Sequence, residues 1–408
     1  MSTTPEPRPT QVPLTPLPAP TGRYPVGRVS YDWLDPGRME IYSADPSDRR
    51  ELVVWMWYPA APGPAAEPAV YLPAGWAPSV EFLGVDLDGV RTHAVEDAPL
   101  AVEDHRYPVL VLSPSGFPPL LLAAIAEELA SHGNVVVGVN HSYETAVTVL
   151  ADGRVLPANP AAVAGVLGPQ TGPHEQAFAR RAAVCDYKAA DLASVADQLH
   201  RLDAEPASPF GNRLDLARLG ALGHSFGGNA ALEWCRTDPR CRAAANLDGA
   251  LWTEVGRVGL DRPALQVLSE HGEFAVSSTV AVNTGMAPDV DWFEAEKAIT
   301  FGGWHTVQRS ARPGITAQVV GATHISFMDV PFLPLQQGSA VAAMLATTTI
   351  QPQRMWRITS DLLLAFFAQH LDGKPSPSTD QLSADYPEVV FGARDPPQAP
   401  EAPKPPSR

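Results

Sequence analysis

Short apolar runs alternate with helical patterns along the middle of the chain, and that alternation limits the possible folds more than any other feature. The runs are Leu52–Tyr58, Val109–Ser113, Asn134–Val139, Leu219–His224, Ala243–Leu247, Ala264–Leu268 and Ala317–Gly321. Several lack the polar alternation of a half-exposed strand, so they read as strands covered on both faces. Between them, Leu122, Ile125 and Leu129 share one helix face that Gly133 closes at its C-terminus. Leu192, Val195, Leu199 and Leu202 mark a long helix starting near His174, and Ile358, Leu362 and Phe366 a final helix ending near Asp372-Gly373. Strand–helix alternation of this kind predicts a mainly parallel sheet with helices on both faces, hence one large α/β domain. With 408 residues, 45% of them hydrophobic, the chain can bury the core such a domain needs.

Proline sets the expected limits of that domain. Pro5, Pro7, Pro9, Pro13, Pro16, Pro18 and Pro20 crowd the first 22 residues, and Pro396, Pro397, Pro400, Pro403, Pro405 and Pro406 the end. Fixed φ angles and missing N–H donors keep such segments extended and unpacked. The expectation is a disordered tail over 1–22, a folded α/β domain over 23–375 and a mostly disordered tail over 376–408. The Pro/Ala/Gly-rich stretch Pro59–Pro78 reads as a long surface loop, and no internal repeat is visible.

Charge and cysteine usage narrow the function classes. The formal charge of −16, from 45 acidic against 29 basic residues, repels nucleic-acid phosphate and anionic membrane surfaces. Nucleic acid is therefore not expected as a partner. Cys185, Cys235 and Cys241 show neither metal-ligand spacing nor a disulfide framework, which points to a reducing cytosol. The N-terminus lacks a signal-peptide profile, and no apolar run approaches the ~20 residues that span a bilayer. A cytoplasmic protein without a transmembrane segment, metal or cofactor is expected.

The chemistry lies in Gly223-His224-Ser225-Phe226-Gly227, a G-x-S-x-G pattern followed by Gly228. An apolar strand runs into it and the helical stretch Asn229–Cys235 runs out, the context in which a serine hydroxyl is raised on a strained elbow above a sheet edge. The glycines let neighbouring backbone pass without Cβ clashes, and the following helix N-terminus favours developing negative charge. The bland alternative is a glycine-rich turn with a solvated serine. A serine hydroxyl is a weak nucleophile, so it needs a base and the base an orienting carboxylate. For the base, His324 directly follows the strand Ala317–Gly321. His271 follows an earlier strand, His305 lies in an irregular insertion, and His141 ends a strand but precedes the serine. Strand context and chain order favour His324.

For the acid, Asp248 ends the strand after the elbow helix and Glu270 ends the next one. Either could be a plain turn residue, and position alone leaves the two close. The oxyanion of a tetrahedral intermediate needs two donors. One is expected from the N–H of Phe226. The other is expected from Phe117, in the loop Ser113-Pro114-Ser115-Gly116-Phe117 after an earlier strand, where Gly116 permits close approach. That loop also reads as an ordinary strand–helix turn, and Ser115 lacks the elbow of a nucleophile.

Beyond these local readings, the chain resembles the plasma-type platelet-activating factor acetylhydrolases and their bacterial relatives, which are α/β-hydrolases. The resemblance runs from about Gly22 to about Lys374. It rests on Gly22-Arg23-Tyr24-Pro25-Val26-Gly27, Arg49-Arg50-Glu51-Leu52, Trp57-Tyr58-Pro59-Ala60, Leu129-Ala130-Ser131-His132-Gly133-Asn134-Val135-Val136-Val137 and the elbow with Gly228. The family's acid stands in a Leu-Asp segment shortly after the elbow, which implies Asp248 rather than Glu270. Its histidine and oxyanion loop fall on His324 and on Ser115-Gly116-Phe117. The resemblance implies metal-independent hydrolysis of a short acyl ester, in characterised members the sn-2 acyl group of a phospholipid. Departures are Pro114-Ser115 in the oxyanion loop and a long stretch between Asp248 and His324 holding Trp252, Trp292 and Trp304. Alternatives are a polyester, lactone or thioester hydrolase on the same fold, a non-catalytic binding protein, and a scaffold acting through its Pro-rich tails.

Overall fold

The computed structural model describes residues 17–392, apart from 86, 88, 102–105, 168–172, 336 and 337. In chain order its strands are β1 (Val26–Met39), β2 (Arg49–Pro59), β3 (Pro68–Val70), β4 (Arg91–Glu96), β5 (Tyr107–Ser113), β6 (Val135–Asn140) and β7 (Val147–Val149). They continue with β8 (Val155–Pro157), β9 (Leu214–His224), β10 (Cys241–Leu247), β11 (Ala264–Leu268), β12 (Gly314–Val319) and β13 (Val389–Phe391). The helices are α1 (Ala123–Ser131), α2 (Pro160–Leu167), α3 (His174–Ala204), α4 (Phe226–Thr237), α5 (Glu254–Val258), α6 (Ser278–Asn283), α7 (Val290–Ser310), α8 (Ala340–Leu345), α9 (Pro352–His370) and α10 (Thr379–Asp385).

Among the described residues one eleven-stranded sheet has the order β13-β12-β11-β10-β9-β5-β6-β2-β1-β4-β3. From β6 through β5, β9, β10 and β11 to β12 all neighbours are parallel, while β2 and β13 flank this block antiparallel. Alternate residues of β5 feed two cores. Leu110 and Leu112 face α1 and α9, and Val109 and Val111 face the side covered by α3, α4 and α7. Helices therefore cover both faces, as the continuous apolar strands require. Each fully buried leucine or valine of these layers contributes about 1.5–3 kcal/mol relative to exposure. The chain leaves β5 toward β6 on one side and reaches β9 on the other, so strand order reverses between β5 and β9. A crevice opens at the carboxyl ends of strands at such a point, and it is there that ligands bind in open α/β sheets.

Several expectations are corrected at the periphery. The packed domain runs past the expected boundaries of 23 and 375. Leu17 is buried, Thr21 Oγ1 donates to Glu128 Oε1 at 2.5 Å, and Gly22 N–H reaches Ser131 Oγ at 3.0 Å. At the other end α10 carries a capping box at Ser378 and Gln381, and β13 adds an antiparallel strand to β12. The rest of both expected tails, 1–16 and 393–408, lies outside the described residues. The expected loop Pro59–Pro78 contains β3 and buries Tyr71 and Trp76. Cys235 and Cys241 form a disulfide between the end of α4 and the start of β10, and Cys185 is free and buried. This overturns the reading that no disulfide is present, and with it the cysteine argument for a reducing compartment. No described helix is long and apolar enough to cross a membrane.

Tyr71 reaches an unusual buried acid. Its hydroxyl donates to Asp329 Oδ2 at 3.0 Å, and the N–H of Ala124 donates to Asp329 Oδ1 at 3.1 Å. Burial raises the Asp329 carboxyl from 3.8 to about 7 against the lowering effect of these donors, with nearby Glu127 pushing the same way as burial. The folded state thus keeps a proton that an unfolded chain releases near 3.8. Between those limits the native state binds more protons, so this group's contribution to stability falls as pH rises and levels off above about 7. The penalty at high pH is on the order of 4 kcal/mol at most. Asp329→Asn is accordingly expected to gain unfolding temperature relative to the parent protein as pH goes from 5 to 8, by roughly 4 °C. A difference between the two proteins that stays constant with pH, read by thermal unfolding in matched buffers, would remove this account.

Candidate active site

Ser225 sits between the last residue of β9 and the first of α4 with φ 58° and ψ −125°. A non-glycine residue held there costs on the order of 1–3 kcal/mol, which the surroundings must sustain. Its N–H donates to the Leu247 carbonyl of β10 at 2.9 Å, and its own carbonyl accepts from Gly228 and Asn229 at the start of α4. Two glycines make the turn possible. A Cβ on Gly223 would lie 2.0 Å from the Gly227 carbonyl oxygen, and one on Gly227 would lie 1.9 Å from the Ser113 carbonyl oxygen. The second contact shows how closely the loop after β5 lies against the elbow.

Two further strand ends converge on this serine. His324, just after β12, has Nε2 3.0 Å from Ser225 Oγ and Nδ1 2.8 Å from Asp248 Oδ2. An ionised carboxylate only accepts, so Nδ1 carries the proton and Nε2 is left as the acceptor facing the hydroxyl. Asp248 follows β10 at a positive φ of 59° and is almost fully buried. Burial alone would raise its carboxyl, but the imidazoles of His271 and His324 outweigh that effect and hold it well below the usual carboxylate range. It therefore stays charged beside His324. Underneath, buried His224 donates from Nε2 to the His324 carbonyl at 3.0 Å, with the two rings 4.7 Å apart. Burial lowers His224 to about 3, so it remains neutral and adds no competing positive charge.

The other residues weighed from the sequence take different places. The Glu270 carboxylate accepts the Gly321 N–H at 2.8 Å and braces the turn leading to His324. His305 lies within the regular helix α7, not in an irregular insertion. Trp304 is buried, and its Nε1–H donates to the Gly249 carbonyl at 2.8 Å beneath the Asp248 turn. Trp252 packs on Phe226 with ring centroids 4.7 Å apart, and the Arg181 guanidinium lies over both Trp252 and Trp292. Phe117 is buried in the loop beside the elbow, its ring 5.9 Å from His224.

Sequence reasoning missed the buried charges under that loop. Lys188 of α3 donates to the Ser115 carbonyl at 3.3 Å and pairs with Glu144, both side chains being buried. Ser113 Oγ lies 2.9 Å from His141 Nε2, and His141 Nδ1 lies 2.7 Å from Asp191, which Arg50 clamps with two bonds. This second Ser-His-Asp chain has the pairing of a triad but is closed to solvent, and it ties the end of β5 to α3 through His141. The available signal was in α3, where Lys188 and Asp191 interrupt the apolar stripe that Leu192 and Val195 continue. Charges on a core-facing stripe imply buried partners.

Beside His324 a cavity of about 580 Å³ is lined by Ser269, Glu270, His271, Thr323, Thr347 and Thr349, among others. It opens beside the carboxyl ends of β11 and β12, with His271 and His324 both in its wall. A mostly parallel sheet with helices on both faces and a serine on a strand-to-helix elbow define the chain as an α/β-hydrolase.

Comparison with known proteins narrows that class. Residues 203–384 match the family model of platelet-activating factor acetylhydrolase, isoform II, a span that holds Ser225, Asp248 and His324. A probable 1-alkyl-2-acetylglycerophosphocholine esterase from Arthroderma benhamiae is 29% identical over 159 residues, which are 39% of this chain and 35% of that protein. The chain thus spans about a third of that relative's length. A ferulic acid esterase from Streptomyces cinnamoneus, a solved structure, aligns with a TM-score of 0.70 and 31% identity over 92% of this chain and 98% of its own. The chain belongs to the plasma-type platelet-activating factor acetylhydrolase family and its bacterial relatives, a family of carboxylic ester hydrolases.

Proposed function

We propose that the protein hydrolyses carboxylic esters through an acyl-enzyme on Ser225, with His324 as general base and acid and Asp248 as its orienting carboxylate. The observation that carries this reading is the unbroken relay from Ser225 Oγ to His324 Nε2 at 3.0 Å and from His324 Nδ1 to Asp248 at 2.8 Å. As Oγ attacks the ester carbonyl, Nε2 takes its proton and the new imidazolium is stabilised by Asp248. The N–H groups of Phe226 and Phe117 receive the oxyanion, and the N-terminus of α4 adds a favourable field. His324 then protonates the leaving alcohol, and water releases the acyl group by the same route.

For the substrate, family membership supports a short acyl ester, the sn-2 acyl group of a phospholipid being the finer form of that reading. A second reading, an aromatic acyl group, is favoured by the Phe226–Trp252 ring pair next to the nucleophile and by the name of the ferulic acid esterase neighbour. Incubation with a fluorophosphonate probe and peptide mapping tests the nucleophile, with a single adduct expected at Ser225. An unlabelled Ser225 in folded protein would favour a non-catalytic role. The ratio of kcat/KM for acetyl, longer acyl and feruloyl esters, including a short-chain phospholipid, separates the two substrates.

A further inference from the structure

Asp248 is held by more than the histidine of the proposed triad. Its Oδ2 faces His324, while Oδ1 accepts the Ser269 N–H at 2.6 Å and lies 2.8 Å from His271 Nε2. Because the carboxylate only accepts, His271 carries its proton on Nε2 and donates it. His271 is itself fixed. It is buried at the turn after β11, in the left-handed region at φ 52° and ψ 43°. Its ring is 4.7 Å from Trp304, the same tryptophan that bonds the Gly249 carbonyl, and 6.2 Å from Phe274. One aromatic side chain thus braces both partners of the bond. His271 and His324 also border the same cavity.

We infer that His271 is a positioning residue of the proposed Ser225–His324–Asp248 triad, a second imidazole that holds Asp248 Oδ1 so that Oδ2 stays directed at His324. The inference rests on the triad reading above. Two physical consequences follow. With one oxygen clamped by two donors, the carboxylate cannot rotate away as His324 cycles between neutral and charged forms. A donor on Oδ1 also draws charge away from Oδ2, so Asp248 stabilises the His324 imidazolium less than a carboxylate lacking that bond would. The titratable groups set around the pair are His324 with His224 beneath it, Glu270 on the same turn, and Lys297 of α7, whose ammonium bonds the Phe274 carbonyl. Against the ring itself α7 contributes Phe301 and Trp304, which are uncharged.

The test compares His271→Ala and His271→Gln in the full chain, following kcat, KM, the pH profile of kcat/KM and the unfolding temperature. Alanine removes the donor, whereas the glutamine amide can still reach Oδ1. His271→Ala is expected to lower kcat by about 10- to 100-fold with KM little changed. It should also move the acid limb of kcat/KM to higher pH by roughly half a unit or more, because the unshared charge raises the basicity of His324. His271→Gln is expected to recover most of kcat and to return the limb toward its original position. A His271→Ala protein within about twofold of the parent, with an unmoved acid limb, overturns the inference. So does an equal loss in both variants with an unmoved limb, which would mean that the ring only fills space. Ser225→Ala measured alongside keeps the two readings apart: near-parental turnover there sinks the triad and the His271 role with it, whereas a large loss there beside an unaffected His271→Ala sinks the role of His271 alone.

Discussion

Ser225→Ala is expected to lower kcat by about 10⁴- to 10⁶-fold while leaving KM within a small factor. The size follows from what is lost and what remains. Without Oγ no acyl-enzyme forms, and His324 is left beside a methyl group. The loop after β5, the N-terminus of α4 and the cavity beside His324 persist, so a residual rate above that in water survives from oxyanion stabilisation and binding. The backbone strain at φ 58° belongs to the turn rather than to the hydroxyl, so alanine keeps the elbow and the loss reports chemistry. Steady-state hydrolysis of an activated acetyl ester, with the unfolding temperature as a control for folding, makes the measurement. Turnover within tenfold of the parent would move the nucleophile away from Ser225 altogether.

Asp248→Asn is expected to cost about 10⁴-fold in kcat at neutral pH without a matching change in KM. The loss follows from which donors around the side chain can change. Oδ1 accepts from the Ser269 main-chain N–H, which can never become an acceptor, as well as from His271. An asparagine must therefore keep its carbonyl oxygen on that side and turn its NH₂ toward His324. His324 Nδ1 would then have to accept, which puts the ring proton on Nε2, opposite Ser225 Oγ. In that tautomer the imidazole cannot take the hydroxyl proton. The geometry is preserved and the chemistry is not, so the variant should fold with near-parental stability. A loss smaller than about tenfold would show that another carboxylate serves His324, and Glu270 would be the first to examine by the same substitution.

The features legible in the chain are those whose signal is local. β11 spans the run Ala264–Leu268, and β2, β5, β6, β9, β10 and β12 overlap the other apolar runs, because strands buried on both faces are built mainly of apolar residues. The elbow was legible for a similar reason, since only glycine fits where Gly223 and Gly227 meet neighbouring carbonyl groups. β1 was not. Its sequence Val26–Met39 mixes Arg28, Asp32, Asp35 and Pro36 with apolar residues, since its outer half is largely exposed and is held as a strand by its pairing with β2. β13 is a three-residue edge added by a segment whose composition resembles the proline-rich end, and the Cys235–Cys241 disulfide depends on how the end of α4 meets β10.

By itself, then, the sequence determined the α/β architecture and the serine on its turn, since hydrophobic periodicity and steric demand act over a few residues. Local sequence left Asp248 and Glu270 close until family resemblance pointed to Asp248, the side chain that meets His324; tertiary structure alone decided that a second imidazole shares the same carboxylate, and that Lys188, His141 and Asp191 lie under the loop carrying Phe117. These are contacts between residues tens to a hundred positions apart. Their partners are set by strand order and by the register that brings Ser113, Gly223 and Asn246 level across the sheet, and no short stretch of chain encodes that register.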